Sequence, residues 1–336
     1  MSITAHPASR GLPKTKVAQE FPRWATRFGP WIAIIALYLI GLATISGFAS
    51  PNSIGSQLAL SAFLGVAAAG QTTVILLGGI DLSMASTIGL GEVVTSILYA
   101  SHDSMATILL LLLGFGVAIG LINGGISAVA RVHPLVVSLG TAFAVQGAVL
   151  IWTHGGMGAG ASPPWLATLT SPQMNLGVVQ LAPVVFVWLG WVVLEWAIER
   201  RGVIGRHIFA LGSSEAAAVL GMARRRTTWI VAFIFSALSG EAAGVLLTGF
   251  SGGANFGVGS PYLFTTITAV VIGGTSLLGG AGGALRTVAG TLLVIEISTL
   301  LIGIGIGPNL QESLLGAFIL VVAALSGREG HVRTQI

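Results

Sequence analysis

The chain contains no cysteine, and only 8% of its 336 residues are charged. The first absence excludes disulfide bonds and thiolate metal sites. The second separates the chain from soluble domains, in which about 25% of the residues are charged. Hydrophobic residues make up 54% of the sequence and give a mean hydropathy of +0.92. This composition predicts an all-α, polytopic membrane protein.

The signatures of several enzyme classes are also missing. The two lysines, Lys14 and Lys16, do not stand in the Gly-Lys-Ser/Thr context of a phosphate-binding P-loop, so the sequence has no ATP site of that kind. No pair of histidines has metal-ligand spacing, and the serine-hydrolase motif G-x-S-x-G does not occur. The net charge of +4 comes from arginines retained in loops, and it does not indicate a nucleic-acid partner.

Ten apolar runs are candidates for membrane-spanning helices, each of which needs about 20 residues, or fewer where a helix is tilted or broken. The expected architecture is a bundle of about ten transmembrane helices over residues 31–326, between an N-terminal tail, 1–30, and a C-terminal tail, 327–336. The runs cover approximately residues 31–48, 57–78, 83–100, 106–130, 135–152, 181–198, 228–249, 263–278, 287–306 and 311–326.

The positive charges indicate how these spans are oriented. If the N-terminus lies inside and the spans alternate, all fifteen Lys and Arg residues fall in inside segments. Cytoplasmic loops of membrane proteins carry an excess of Lys and Arg, so this pattern predicts an even number of spans with both termini in the cytoplasm. Nine or eleven spans would place Arg328 and Arg333 outside.

The inside loop 199–227 is the longest of the loops on that side, and it contains six of the fifteen basic residues. Within it, Ser213 is expected to cap a short helix, Glu215 to lie in its first turn, and Gly221 to end it. About two helical turns are too short to be stable alone, so we expect this helix to dock against a partner. The apolar stretch Ala216–Leu220 favours this interpretation over a solvated linker.

Thr153–Gln180 is the longest outside segment and is rich in glycine and proline. We expect it to contain a short interfacial helix with Trp165. Loops longer than about 15 residues are often functional, so the segment is either a docking surface or a spacer.

Glycines four residues apart occur in three places, where they allow helices to pack closely. These faces serve either packing within the chain or a contact between subunits. They are Gly116, Gly120 and Gly124; Gly240 and Gly244; and Gly303 and Gly307.

Three acidic residues, Glu92, Glu241 and Glu296, lie inside predicted spans. Acids at membrane depth are candidates for ion pathways and proton relays. No Lys or Arg is predicted at the same depth, so these side chains are either proton carriers or protonated groups that pack against neighbouring helices. Asp81 begins a span and is placed to cap it.

Two glycine-rich stretches interrupt the apolar runs, G-G-I-D-L-S at Gly78–Ser83 and G-G-T-S-L-L-G-G-A-G-G at Gly273–Gly283. Transporters break helices at such places to expose backbone groups to a cavity. The first stretch is equally compatible with a tight turn between helices, whereas the second is too long for a turn alone.

At these residues the chain resembles the permease subunits of ABC importers for ribose, xylose and galactose. The resemblance covers roughly residues 50–326, and it departs from the family pattern at Met84-Ala85, Gln146 and Leu278, where Val-Gly, Arg and Ser are usual. The motifs that carry it are G-G-I-D-L-S at Gly78–Ser83, I-N-G at Ile122–Gly124, H-P-L-V-V-S-L-G-T at His133–Thr141, G-R-H-I-F-A-L-G at Gly205–Gly212, S-E-A-A-A-V-L-G-M at Ser214–Met222 and V-V-I-G-G-T-S-L-L-G-G at Val270–Gly280.

The resemblance implies a homodimeric or pseudodimeric pore in the bacterial cytoplasmic (inner) membrane. It implies two ABC ATPase subunits, which would bind ATP and Mg²⁺ in place of any cofactor in this chain, and a periplasmic or lipid-anchored sugar-binding protein. The short helix then corresponds to the family's coupling helix, which docks in a groove of the ATPase, and its residues are Ser213, Ser214, Glu215, Ala216, Ala217, Leu220 and Gly221. Candidates for the translocation path are Gly78, Gly79, Asp81, Ser83, Asn123, Gly273, Gly274, Thr275 and Ser276.

The expected function is therefore import of a monosaccharide, a pentose, hexose or related polyol, by alternating access. The alternative is a proton-coupled secondary transporter that uses Glu92, Glu241 or Glu296. That alternative accounts for the buried acids but not for the resemblance of Ser213–Met222 to a coupling helix.

Overall fold

The computed structural model describes residues 23–155, 160–177, 179–254, 257–307, 309–317 and 320. Side chains are described from residue 28 onward, except those of residues 215–217. The C-terminal tail 327–336 and most of the N-terminal tail lie outside the described residues, so the predictions for the tails stay predictions.

The described chain is helical apart from one small sheet, as the predicted all-α class requires. The two-residue strands β1, Met174–Asn175, and β2, Gln180–Leu181, pair antiparallel in the outside segment. Residues 309–317 are helical as well. The helices are α1 Arg23–Thr44, α2 Pro51–Leu76, α3 Met84–Ala100, α4 Met105–Val129, α5 Pro134–Trp152, α6 Pro164–Thr170, α7 Val184–Arg201, α8 Val203–Ser213, α9 Glu215–Leu220, α10 Arg225–Ser251, α11 Ser260–Ile272 and α12 Ala284–Gly303.

Five of these helices, α2, α4, α5, α10 and α12, are long and apolar enough to cross a membrane. Shorter apolar helices occur at Phe28–Thr44, within α1, and at α3 and α11. Each of the first nine predicted spans coincides with a helix. The tenth begins in the helical residues 309–317 and continues beyond the described ones. A bundle of ten crossings therefore stays a prediction.

Helix α10 lies at the centre of the bundle, packed against α2, α3 and α4. The glycines of α4 bring it into direct contact with the α10 backbone, because a methyl group at Gly124 would lie only 2.5 Å from Cα of Ile230. On the other side of α10, Gly244 packs against the α3 backbone, where its methyl would lie 2.8 Å from the amide nitrogen of Glu92. These two glycine faces therefore serve packing within the chain rather than a subunit contact.

The outside segment contains the predicted short helix with Trp165, which is α6. Leu166 is almost completely buried, and it touches Gly249 near the end of α10. Asn175 accepts a hydrogen bond from the amide of Gly177 in the turn between β1 and β2, at 2.9 Å. The segment is therefore folded onto the helix bundle through α6 rather than extended as a spacer.

The inside loop 199–227 is more ordered than its sequence predicts, because helices occupy most of it. Helix α7 continues to Arg201, and the amphipathic α8 follows after Gly202. The α8 residue Ile208 is buried in a hydrophobic cluster with Leu76 of α2 and Phe233 of α10. Helix α8 is thereby anchored to the inner ends of the two most buried spanning helices.

Candidate functional site

The short helix α9 leaves the anchored helix α8 at a sharp break. The backbone of Ser214 is fully extended (φ −172°, ψ 158°), and its carbonyl accepts the first helical hydrogen bond, from Ala218, at 3.0 Å. The prediction that Ser213 caps α9 is wrong, because Ser213 is the last residue of α8 and its hydroxyl donates to the carbonyl of Ala210. The residue that begins α9 is thus one position later than expected.

The end of α9 is a tight hydrogen-bonded stop. The amide of Ala223 donates to the carbonyl of Ala218 at 2.9 Å, and the amide of Met222 donates to Val219 at 3.1 Å. This pair of bonds closes a helix around one left-handed residue. That residue is Met222 (φ 46°), although a side chain is unfavourable in this conformation. Gly221 directly follows the last residue of α9, Leu220, as predicted.

Helix α9 presents an apolar surface that nothing in the described chain covers. Val219 is 74% exposed, and Leu220 and Met222 are each 85% exposed, whereas Ala218 is buried. The predicted contact residue Leu220 therefore does face outward, while the similarly exposed Val219 and Met222 were not among the predicted contact residues. The side chains of Glu215, Ala216 and Ala217 lie outside the described ones, so their part in this surface stays a prediction. The sequence signal for Val219 and Met222 was the V-L-G-M ending of the motif Ser214–Met222.

The G-G-I-D-L-S stretch between α2 and α3 is a loop held by a buried polar network. The carboxylate of Asp81 accepts hydrogen bonds from the amide of Ser83 (2.8 Å) and from the hydroxyl of Ser236 in α10 (2.7 Å). Asn123 of α4 donates to the Ser83 hydroxyl at 3.0 Å and accepts from Thr141 of α5 at 2.6 Å. The network ties the loop to three helices that are remote from it in sequence.

The predicted path residues Asp81, Ser83 and Asn123 are all members of this network, and all are buried. The neighbouring amide of Leu82 is held in the same way, since it donates to the hydroxyl of Ser138 in α5 at 2.9 Å. In this arrangement the network fixes the relative positions of α3, α4, α5 and α10. A direct role of these side chains in translocation stays a prediction.

The second glycine-rich stretch is a folded loop between α11 and α12. Gly274 has a left-handed backbone (φ 98°), and its carbonyl accepts a 2.7 Å hydrogen bond from Nη1 of Arg286. The hydroxyl of Thr275 accepts from the amide of Gly283 at 3.2 Å, and Ser276 donates its amide to Ala281 at 2.9 Å. These hydrogen bonds join residues within and next to the loop, and the glycines allow its backbone to form compact turns.

Glu199 was assigned no role from the sequence, yet it holds the start of α12. Both of its carboxylate oxygens accept from the amide of Ala284, at 3.1 Å each, and the side chain is buried. The residue before Ala284 is Gly283, which has no side chain to cap the helix. Glu199 therefore links the inside end of α7 to α12, a contact across 85 residues that no local pattern signals.

A cavity of about 330 Å³ lies between α3, α5, α11 and the helical residues 309–317. Its wall is mostly apolar, with polar groups from four side chains. Those are Ser86, Gln146, Ser260 and Glu312. Leu82 and Ala85, next to the Asp81 network, also line it, but none of the nine predicted path residues does. The network thus borders the cavity and does not form its surface.

The three predicted intramembrane acids are all buried but have different surroundings. Glu92 accepts a 2.9 Å hydrogen bond from the hydroxyl of Ser251. Both carboxyl oxygens of Glu241, and Oε1 of Glu296, have no hydrogen-bond partner within the described part of the chain. The described residues contain no group of three or more His, Asp or Glu that could hold a metal ion.

Comparison with known proteins identifies the family. The sequence model of a family described as "Branched-chain amino acid transport system / permease component" matches residues 53–323. The autoinducer 2 import system permease protein LsrD of Escherichia coli (strain K12) is 31% identical over 319 residues, which cover 92% of this chain and 94% of that protein. The LsrD protein of Shigella flexneri matches with the same identity and coverage. No solved structure matches the chain.

Family and structure together define the class of protein. The relatives are transport subunits and not enzymes, and the family implies an ATPase and a substrate-binding protein as partners. The apolar helices agree with a multi-pass protein of the inner membrane. The chain belongs to this family of ABC importer permeases.

Proposed function

We propose that this chain is the membrane-spanning subunit of an ATP-driven importer, which moves a monosaccharide or a related polyol into the cytoplasm by alternating access. The observation that carries the proposal is the exposed apolar surface of α9, in a loop that contains six of the chain's fifteen basic residues. A short, well-capped helix with uncovered Val219, Leu220 and Met222 suits docking into an apolar groove of a partner.

In this mechanism the partner ATPase holds ATP and Mg²⁺, and this chain contributes motion only. Helix α8 is anchored by Ile208, so a displacement of α9 is passed into the bundle instead of being absorbed by a flexible loop. A ligand shifts a conformational equilibrium only through its different affinity for the two states. The ATP-bound form of the ATPase must therefore hold the two α9 helices of a dimer in a different position from the nucleotide-free form.

The cavity supports a neutral, hydroxyl-rich substrate. Its polar lining offers the hydroxyls of Ser86 and Ser260, the amide of Gln146 and the carboxyl group of Glu312, all of which can form hydrogen bonds to sugar hydroxyls. Its described lining contains no Lys or Arg that would bind the carboxylate of an amino acid. A volume of about 330 Å³ is within the range of small-ligand sites, which starts near 300 Å³.

The exposed side of α5 is our candidate for contact with a second permease copy. Only 11% of the most apolar 18-residue stretch of α5 is buried, compared with 89% of the corresponding stretch of α2. The α5 side chains Phe143 and Ile151 are strongly exposed. The cavity is lined by α5 as well, so a partner copy on this side would enclose it. The α6 and β1–β2 segment is the candidate surface for the binding protein, and the remaining apolar surface faces membrane lipid.

The proposal is tested by co-purification and uptake. We expect an ABC ATPase to co-purify with the wild-type chain and with Val203→Asp, a control on the exposed start of α8, but not with Leu220→Asp. Vesicles with the reconstituted complex should take up radiolabelled ribose, xylose or galactose only with internal ATP, and Leu220→Asp should lower uptake roughly tenfold or more, as expected when a coupling free energy of a few kcal/mol is lost.

Two outcomes would contradict parts of the proposal separately. Uptake that needs no ATPase, stops when an uncoupler is added and is lost in Glu241→Gln would favour the proton-coupled alternative. Uptake of autoinducer 2 but of none of the three sugars would leave ATP coupling in place and change the substrate class.

A further inference from the structure

The inside ends of three segments meet at four glycines, Gly78, Gly212, Gly279 and Gly280, which we call the glycine junction. Gly78 follows the end of α2, Gly212 is the second-last residue of α8, and Gly279 and Gly280 belong to the loop between α11 and α12. The amide of Gly280 donates a 2.9 Å hydrogen bond to the carbonyl of Leu76, the last residue of α2. The loop thereby satisfies one of the carbonyls that a helix leaves unpaired at its C-terminus.

The backbones at this junction touch without any space for a side chain. A methyl group at Gly212 would overlap the carbonyl oxygen of Leu76 and lie 2.6 Å from the amide nitrogen of Gly280. A methyl at Gly280 would lie 2.8 Å from Cα of Ser213. A methyl at Gly279 would lie 2.8 Å from the amide nitrogen of Gly78. Gly212 therefore sits directly over the hydrogen bond that joins the other two segments.

The three segments lead to different functional parts of the chain. Three residues after Gly212 the exposed helix α9 begins. After Gly78 the chain enters the Asp81 network and then α3, whose residue Ser86 lines the cavity. The loop that contains Gly280 is preceded by α11, whose residues Leu263 and Phe264 also line the cavity. The junction thus joins the helix that precedes α9 to the segments that lead to two of the cavity-lining helices, α3 and α11.

We infer that the glycine junction transmits the displacement of α9 to α3 and α11, so that Gly212 and Gly280 are positioning residues for gating. The inference rests on the proposed function, because it needs a partner that moves α9. Contact between backbones suits this task, since long side chains would absorb a small displacement by changing rotamer, whereas closely packed backbones move together.

Alanine at Gly280 provides the first test, with Gly252 and Gly47 as matched controls. All three have left-handed backbones, with φ of 72°, 79° and 76°, so alanine imposes a similar conformational cost at each. Only Gly280 is crowded, because nothing lies within 4 Å of a methyl group at the other two. If Gly280→Ala loses function and the two controls do not, the loss is therefore caused by crowding at the glycine junction and not by the left-handed backbone conformation.

The readout compares transport with ATP hydrolysis in the reconstituted complex of permease, co-purifying ATPase and binding protein. We expect Gly280→Ala to insert normally and to bind the ATPase, but to transport roughly tenfold less radiolabelled sugar per ATP hydrolysed, within the usual range of coupling free energies. Gly252→Ala and Gly47→Ala should keep the wild-type ratio. A wild-type ratio in Gly280→Ala would overturn the inference.

A second measurement uses the wild-type complex, so it does not depend on the folding of a variant. Hydrogen exchange is compared between the nucleotide-free and the vanadate-trapped complex for three peptides, which cover residues 74–80, 207–214 and 276–284. We expect protection in all three to change together, because the backbones of the three segments pack directly against one another at the junction. A change confined to the peptide 207–214 would overturn the inference. If the wild-type chain binds no ATPase at all, the proposed function itself fails instead.

Discussion

At the scale of single residues, Glu199 shows how a carboxylate from one helix replaces the missing cap of another. The first amides of a helix have no partner within it, and a negative charge near them is favourable. Gly283 cannot supply a cap for α12, and Glu199 of α7 accepts from Ala284 with both oxygens instead. This side chain connects the inside loop to the glycine-rich stretch, so its removal is a direct test of that contact.

We predict that Glu199→Ala destabilises the chain by about 1–3 kcal/mol, because it leaves the buried amide of Ala284 without an acceptor. Glu199→Gln keeps one acceptor oxygen and should lose clearly less. The measurement is the midpoint of thermal unfolding in detergent, followed by fluorescence of the purified protein. Equal midpoints for wild type and Glu199→Ala would show that water or another group satisfies the amide equally well.

At the scale of elements, α9 is a short helix that projects from the anchored helix α8. Its end is set by the left-handed Met222 and its base by the buried Ile208 of α8. Its apolar surface at Val219 and Leu220 is covered by nothing in the described chain. An element of this kind fits a groove by its shape, so a large side chain added to its surface should prevent docking.

We predict that Ala217→Trp abolishes uptake and ATPase stimulation while membrane insertion stays normal, because the large ring prevents α9 from entering the groove of the ATPase. Ala130→Trp, at an exposed position after α4, is the matched control and should retain both activities. Uptake and ATP hydrolysis are measured in reconstituted vesicles at equal protein levels. Normal uptake by Ala217→Trp would remove α9 from the coupling mechanism.

At the scale of the whole molecule, the distribution of basic residues predicts which surface faces the cytoplasm. Arg200, Arg201, Arg206 and Arg224–Arg226 lie in or next to α8 and α9, whereas α6 and the small sheet belong to the segment without Lys or Arg. The two surfaces should therefore lie on opposite sides of the membrane.

This orientation is tested by cysteine labelling. The wild-type chain contains no cysteine and therefore serves as the unlabelled control. Leu176→Cys in the outside segment and Val203→Cys in α8 both replace exposed side chains. In intact cells a membrane-impermeant maleimide should label the first, and it should reach the second only after permeabilisation. Labelling of both from outside would overturn the predicted topology.

Much of the architecture can be predicted from the sequence because membrane insertion depends on local properties. Runs of about 20 apolar residues and the placement of arginines are visible in the linear chain, and each of the first nine predicted spans coincides with a helix. The position of α9 was also predicted to within one or two residues. Its start was misplaced by one residue, at Ser213, because the competing helix α8 uses Ser213 as its own last residue.

The buried contacts of the candidate site were determined by the tertiary structure and have no local signature. The bond between Ser236 and Asp81 joins residues 155 positions apart, and Glu199 meets Ala284 across 85. The sequence by itself determined the class of protein, its apolar helices and the helix offered to a partner, since these follow from the hydropathy and charge of neighbouring residues. Only the tertiary structure decided that the glycines of both stretches and of α8 meet at one junction, because a glycine's role depends on which distant backbone approaches it.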